Sequence, residues 1–130
     1  MMKTISIILS LLGVILLDSF KCTKGVDYIY IENKSSTPVY YQVSFAYPDS
    51  TLATVIAPPD GLYIPVNSKV ADIGSTSYFA YNDTLQYFIF DADSIKKYTW
   101  EEIQSKKLYL KRYVYSKQDL IMRNGIITYQ

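Results

Sequence analysis

The sequence predicts a mainly β protein, folded as a small antiparallel β-sandwich with one or two short helices in its C-terminal third. Apolar and polar side chains alternate with a period of two along most of the chain. Clusters of Asn, Asp, Ser, Gly and Pro separate these alternating stretches, and each stretch is short. Such alternation indicates strands with one buried face, and several short strands with polar turns favour two packed sheets.

The clearest strand is predicted at residues 39–47, where Val, Tyr and Phe occupy every second position. Residues 85–90 are apolar on both faces, which predicts a central strand. Residues 62–66 and 69–73 are predicted to pair as a hairpin across Asn67 and Ser68, with Pro65 on an edge. Further strands are predicted at residues 28–31, 52–57, 108–115 and 126–129. This set of strands is typical of an Ig-like or similar sandwich.

Two capping boxes predict the helices. Thr99 and Glu102 have the spacing at which a side-chain hydroxyl and a carboxylate each satisfy a backbone N–H at a helix start. Ser116 and Asp119 repeat this spacing. Trp100, the only tryptophan, lies in the first helix. Packing of that helix onto a sheet explains Trp100 better than stacking on a ligand.

The N-terminus predicts export. Lys3 precedes a largely apolar run at residues 5–17, which is shorter than the roughly 20 residues of a spanning helix and fits a secretory signal. The only cysteine, Cys22, follows shortly after this run. Its position resembles that of the lipid-bearing cysteine of a bacterial lipoprotein signal, although Lys21 stands where such signals usually have a small residue. The predicted organisation is a signal peptide at 1–21, a tether at 22–26 and one β-rich domain at 27–130.

Composition excludes several classes of function. The chain has no His, which removes imidazole bases and most zinc sites, and its single Cys cannot form an intramolecular disulfide. A net charge of +1 gives no electrostatic basis for binding nucleic acid. Residues 22–90 hold three basic and six acidic side chains, and residues 91–130 hold eight and five. The two segments either neutralise each other in the fold or lie on solvated faces, or the second forms a cationic face for lipid headgroups or an acidic partner.

Catalytic motifs are weak. Asp91 and Asp93 follow an apolar strand, which resembles the first motif of the haloacid dehalogenase phosphatases. That chemistry needs a magnesium ion, a downstream lysine and a doubly wound sheet, and nothing before residue 85 indicates one. The simpler interpretation is that both aspartates belong to a turn leading to the helix at Thr99. We therefore predict no enzyme activity, no metal site and no cofactor.

The chain resembles the small uncharacterised lipoproteins of Bacteroidetes-type bacteria. The resemblance rests on the leader ending at Cys22, on IENKSS and YPDS, and above all on residues 88–129, with FIFDADSIKKYTWEEIQSKKLYLKRY, SKQDL and a terminal ITY. It implies an extracytoplasmic protein tethered to the membrane, with palmitate or a similar chain on Cys22, and it implies no activity. Acidic residues do not follow Cys22, which favours the periplasmic face over the cell surface.

The resemblance also implies candidate sites of O-glycosylation. Such bacteria modify hydroxyls in Asp-(Ser/Thr)-aliphatic or -Thr segments, and the hydroxyls that fit are Ser50, Thr84 and Ser94. Asp-Ser pairs are also common in turns, so these segments are either glycosylation sites or ordinary turns.

The chain contains 14 tyrosines. Tyrosine suits half-buried strands, but exposed tyrosines also stack on sugars or anchor protein partners. The candidates for an exposed cluster are Tyr40, Tyr78, Tyr81 and Tyr113.

We expect a non-catalytic envelope or interaction module bound to the bilayer through Cys22, with an envelope protein or a glycan as partner. The alternative is a glycan-binding lipoprotein that uses these tyrosines.

Overall fold

The computed structural model describes residues 26–50, 52, 62–72 and 75–130. The strands in this part of the chain are β1 (Ile29–Asn33), β2 (Val39–Ser44), β3 (Tyr63–Ile64), β4 (Ser68–Asp72), β5 (Thr84–Asp91), β6 (Lys111–Ser116) and β7 (Ile126–Tyr129). The α-helices are α1 (Ala92–Ile95), α2 (Trp100–Lys106) and α3 (Lys117–Met122), and a 3-10 helix spans Ser75–Ala80.

The strands form two sheets in an open sandwich. One sheet has the order β4-β1-β7 and the other has the order β3-β2-β5-β6. The predicted mainly β, sandwich-like fold is confirmed. The described residues contain three short α-helices in the C-terminal third, where one or two were predicted, and α1 is the one that was not predicted. One pairing departs from the antiparallel pattern, because β7 runs parallel to β1 with Ile31 opposite Ile127.

Strand β5 lies between β2 and β6 and is buried on both faces, which confirms the prediction for residues 85–90. Leu85, Tyr87 and Ile89 face the other sheet. There they join a buried cluster contributed by both sheets, which also contains Ile29, Ile31, Val39, Tyr41, Ile64, Tyr115, Leu120 and Ile127. Because side chains alternate along a strand, Phe88 and Phe90 must be covered on the opposite face.

Helix α2 covers that opposite face. Ile103 is buried against Phe88 and Phe90, and the Trp100 ring meets the Phe90 ring edge-on with 6.0 Å between centroids. The predicted packing of this helix onto the sheet is therefore confirmed. The Thr99–Glu102 capping box begins α2, and the Ser116–Asp119 capping box begins α3.

The predicted hairpin across Asn67 and Ser68 is wrong. Strand β3 pairs with β2, whereas β4 pairs with β1 in the other sheet. The chain thus crosses between the sheets here, through Asn67 with φ of 53°. Pro65 follows β3, which is an edge strand, so its lack of an N–H breaks no ladder.

Buried Asn33 joins the two sheets near this crossing. Its Nδ2 atom donates to the carbonyl oxygens of Ile64 and Thr37 at 3.2 and 2.9 Å, and its Oδ1 atom accepts from Ser35. One amide at the end of β1 therefore holds β3 and the β1–β2 turn together.

The strand predicted at 126–129 is confirmed as β7, whereas other strand predictions differ in extent. The strand predicted at 39–47 stops at Ser44, and Phe45 and Tyr47 lie exposed beyond it. The strand predicted at 108–115 begins only at Lys111 and ends at Ser116. The strand predicted at 52–57 lies outside the described residues except for Leu52, which packs on the outer face of the four-stranded sheet.

Candidate functional site: the proximal end of the sandwich

The strand pairings divide the sandwich into two ends. Strands β1, β5 and β7 begin, and β2, β4 and β6 end, at the end where the chain arrives through Val26. In the registers, Ile29 lies opposite Asp72, and Thr84 lies opposite Ser116. We call this the proximal end, and the opposite one, with the β1–β2 turn and residues 92–110, the distal end.

Gly125 fixes the path of the arriving chain at the proximal end. It has φ of 73°, and a Cβ atom there would lie 2.5 Å from the Tyr28 carbonyl oxygen and 2.8 Å from Val26 Cγ1. The Gly125 carbonyl oxygen accepts from the Tyr30 N–H at 2.8 Å. The absence of a side chain at position 125 therefore lets residues 26–28 run directly against the start of β7.

The proximal end exposes large apolar side chains. Tyr81 is 93% exposed and Met122 is 69% exposed, and Tyr28, Phe45 and Tyr47 are each about half exposed. All five lie in the connections at this end, before β1, after β2, before β5 or before β7. The distal end exposes Tyr98, Leu110, Leu108 and Val66 at 42, 48, 36 and 37%, and Tyr63 on β3 is 37% exposed. The proximal end therefore differs in its larger exposed area and in its share of aromatic side chains.

A buried carboxylate lies directly behind this surface. Asp72 is 5% exposed, and its Oδ1 and Oδ2 atoms accept hydrogen bonds from the hydroxyls of Tyr78 and Tyr87 at 2.8 and 3.0 Å. The Phe45 ring packs edge-on against the Tyr78 ring at 5.0 Å. The proximal surface is thereby fixed to both sheets, since Asp72 belongs to β4 and Tyr87 to β5.

Sequence reasoning missed this cluster. Burial, followed by the neighbouring Asp72 carboxylate, raises the pKa of Tyr41, Tyr78 and Tyr87 well above that of free tyrosine. These hydroxyls thus stay protonated and serve as donors rather than as bases. The sequence pattern that could have revealed this cluster is the alternation in β4, which places Asp72 on the same inward face as Val70.

The four tyrosines proposed as a cluster lie in different places. Tyr40 packs edge-on against Tyr63 on the outer face of the four-stranded sheet, while Tyr78 bonds Asp72. Tyr81 projects into solvent at the proximal end, and Tyr113 lies on the edge strand β6. None of the ring contacts in the described residues joins two of the four.

The faces of the Tyr113 ring are in contact with other groups. Tyr115 stacks on it with centroids 5.9 Å apart, and Lys111 Nζ lies 5.9 Å from its centroid. Its hydroxyl donates to the Thr128 carbonyl oxygen at 3.0 Å. Tyr113 thus closes the gap between the edge strands β6 and β7, as a half-buried structural side chain.

The candidate glycosylation hydroxyls differ in accessibility. Ser94 is exposed on α1, whereas Ser50 and Thr84 are half-buried. Ser50 follows the turn after β2, and Thr84 begins β5. Each therefore sits at the surface of the fold, with Ser94 the most open to a modifying enzyme.

Asp91 has a structural role at the end of β5. Its Oδ1 atom accepts from the Ser94 N–H at 2.7 Å and so caps α1, and this bond lowers the pKa of the Asp91 carboxyl. Asp93 is exposed in the first turn of the same helix. The described residues contain no group of three metal-binding side chains. Asp91 thus ends β5, as the simpler interpretation expects, but the segment that follows is the short helix α1 rather than a turn.

Charge is distributed unevenly between the two ends. Exposed lysines lie at or near the distal end, at Lys34, Lys69, Lys96, Lys97, Lys106, Lys107 and Lys111, and they outnumber the acidic side chains there. Asp93 and Glu101 are exposed at this end, and Lys34 and Lys106 pair with Glu32 and Glu102. The proximal end exposes Asp27, Asp49 and Asp83 beside Lys117 and Arg123. Most of the basic side chains predicted to form a cationic face therefore lie away from the arriving chain.

The predicted signal peptide and tether, including Cys22, lie outside the described residues except for Val26. In the part of the chain that is described, no helix is long and apolar enough to cross a bilayer. Comparison with protein-family models, with curated proteins and with solved structures gave no significant match. The residues themselves are therefore the basis for a functional proposal.

Proposed function

We propose that this protein is an extracytoplasmic lipoprotein of the cell envelope, held on the membrane by acylated Cys22 and acting as a non-catalytic interaction module. The observation that carries the proposal is the position of Cys22. It follows an apolar run too short to span a membrane, and it precedes the folded domain at Val26 by only a few residues.

The proposed modification uses membrane phospholipid. The Cys22 sulfur forms a thioether bond to the glyceryl carbon of one phospholipid, whose phosphate headgroup leaves with the thiol proton. Water then hydrolyses the peptide bond between Lys21 and Cys22, and the freed amine takes an acyl group from a second phospholipid, which leaves as a lysophospholipid. Each buried methylene contributes about 0.8 kcal/mol, so three chains make release from the bilayer negligible.

The roles of the acidic side chains support a non-catalytic module. Asp91, Glu102 and Asp119 accept backbone N–H bonds at helix starts, and Asp72 accepts from buried tyrosines. Hydrogen bonds to backbone N–H groups lower the pKa of the first three. Asp91, Glu102 and Asp119 are thus charged structural groups, whereas a general acid near neutral pH needs a raised pKa.

The lysine-rich distal end favours an acidic envelope partner. With Cys22 in the membrane at the proximal end, these lysines point away from the bilayer and towards the periplasm. Opposite charge across such a surface increases association rates and selects partners, and it makes binding sensitive to salt.

Glycan binding is the alternative function, and the exposure of Tyr81 favours it. A ring that is 93% exposed offers both faces for stacking on a sugar. Binding of envelope polysaccharide by the full protein, lost in Tyr81→Ala and retained in Tyr98→Ala, would support this alternative.

Labelled palmitate tests the main proposal in the native host. We expect label on the wild-type protein, which fractionates with the membrane, and no label on Cys22→Ser. Lys21→Gly places a small residue before the cysteine and should increase the processed fraction. An unlabelled wild-type protein, or a Cys22→Ser variant that stays in the membrane after removal of its leader, would refute the proposal.

A further inference from the structure

We propose that the proximal end of the sandwich lies in the headgroup layer of the bilayer, with Tyr28, Phe45, Tyr47, Tyr81 and Met122 in contact with lipid. This inference rests on the proposed anchoring at Cys22 and adds an orientation to it. The lipoprotein would stand upright on the membrane, with its lysine-rich distal end presented to the periplasm.

The length of the tether supports this contact. From Cys22 to Val26 the chain advances four residues, which at about 3.5 Å each reach about 14 Å at most. If the acyl chains of Cys22 lie in the bilayer, the proximal end therefore cannot be farther from the membrane surface than this tether reaches. The bilayer is the one surface that this end always meets.

The chemistry of the exposed side chains matches that surface. Tyrosine has an apolar ring and a polar hydroxyl, and it concentrates where membrane meets water for this reason. Among the described residues, four aromatic side chains and Met122 are exposed at the proximal end, whereas the distal end exposes Tyr98 with the aliphatic Leu108, Leu110 and Val66. Burying such side chains in lipid removes apolar area from water.

The surface is also held in place before it meets lipid. Phe45 packs on Tyr78, and Tyr78 bonds Asp72, which Tyr87 of the other sheet also bonds. Tyr28 contacts the start of β7 through its carbonyl oxygen at Gly125. A surface ordered by the fold loses little conformational entropy on contact.

The charges at this end point to apolar rather than electrostatic contact. Asp27, Asp49 and Asp83 lie there beside Lys117, Arg123 and Arg112, whose Nη2 atom donates to the Pro48 carbonyl oxygen at 3.4 Å, so these acidic and basic side chains balance in number. The proposed orientation should therefore be the same on neutral and on anionic vesicles, and salt should not change it.

Depth-dependent quenching tests the orientation with the full, acylated protein. Because acylation occupies the Cys22 sulfur, a cysteine introduced elsewhere is the only free thiol. We would label Tyr81→Cys, and Tyr98→Cys as the matched distal control, with a polarity-sensitive fluorophore. The proteins would then be placed in phosphatidylcholine vesicles that carry a nitroxide-labelled headgroup lipid, with and without phosphatidylglycerol.

We expect severalfold stronger quenching at position 81 than at position 98, and the same ratio with phosphatidylglycerol. Equal quenching at both positions in protein that floats with the vesicles would overturn the inference and leave anchoring intact. Protein that fails to float would instead overturn the proposed function. Shielding of position 81 in native envelopes but not in pure lipid would assign the surface to a protein partner and would also overturn the inference.

Discussion

The Tyr87 hydroxyl on β5 donates a 3.0 Å hydrogen bond to Asp72 Oδ2 on β4 and so joins the two sheets through their inner faces. Tyr78 donates to the other oxygen of the same carboxylate at 2.8 Å. Both oxygens of this buried side chain thus have hydrogen-bond partners, as burial of a polar group requires. The same contact supports the proximal surface, because Phe45 packs on Tyr78.

Removal of this carboxylate should destabilise the domain. We expect Asp72→Ala to lower the free energy of unfolding by about 2 to 4 kcal/mol, since buried hydroxyls lose their acceptor. Tyr87→Phe should cost about 1 to 3 kcal/mol. Urea unfolding followed by Trp100 fluorescence measures both. Tyr81→Phe is the control and should change nothing, and an Asp72→Ala variant as stable as wild type would contradict the expectation.

Alkaline pH should destabilise the domain through the same tyrosines. Burial, and after it the Asp72 carboxylate, raises the pKa of Tyr87 well above the ordinary value of about 10. Above about pH 10 the unfolded chain releases a proton that the folded chain keeps, so the free energy of unfolding falls as pH rises. The slope is at most about 1.4 kcal/mol per pH unit for each such tyrosine.

Urea titrations on both sides of about pH 10 measure this slope. Tyr87→Phe removes one of the titrating groups and should make the fall shallower. A free energy of unfolding that stays constant through this range, in wild type as in Tyr87→Phe, would show that these hydroxyls ionise in the folded protein as freely as in water.

Loss of the N-terminal cap of α2 should destabilise this helix, which packs on Phe88 and Phe90. Thr99 accepts from the Glu102 N–H, and Thr99→Ala should cost about 1 kcal/mol of unfolding free energy. Thr99→Ser keeps the hydroxyl and should restore most of it. Ser105→Ala, an exposed change in the same helix, is the control, and an equal loss there would mean that the cap is not the cause.

The elements predicted well are those with a local cause. The capping boxes of α2 and α3 depend on residues three positions apart, and the central place of β5 follows from apolar side chains on both of its faces. The position of Trp100 follows in turn, because the outer face of β5 needs a cover.

The elements predicted badly depend on residues far apart in sequence. A short turn at Asn67 favours a local hairpin, but Asn33 ties Ile64 to the end of β1, and β4 pairs with β1 instead. The parallel pairing of β1 with β7 and the convergence of tyrosines on Asp72 leave no mark in local spacing. For the same reason, the candidate tyrosines could not be grouped from sequence.

Glycosylation is open to a direct test on protein from the native host. The mature chain should be heavier than polypeptide plus lipid by the mass of one or more glycans. Ser94 is the most exposed of the three candidates, so Ser94→Ala should remove a whole glycan mass. Ser105→Ala, which has no preceding Asp, should remove none, and a mass equal to polypeptide plus lipid alone would eliminate all three sites.

The mass of the N-terminal peptide of the protein isolated from its native envelope tests the account most directly. We predict that the peptide begins at Cys22 and carries a diacylglyceryl thioether on the sulfur and an acyl chain on the amine. A peptide that still contains residues before Cys22, or one with a free thiol at that position, would contradict the proposal that lipid holds this domain on the membrane.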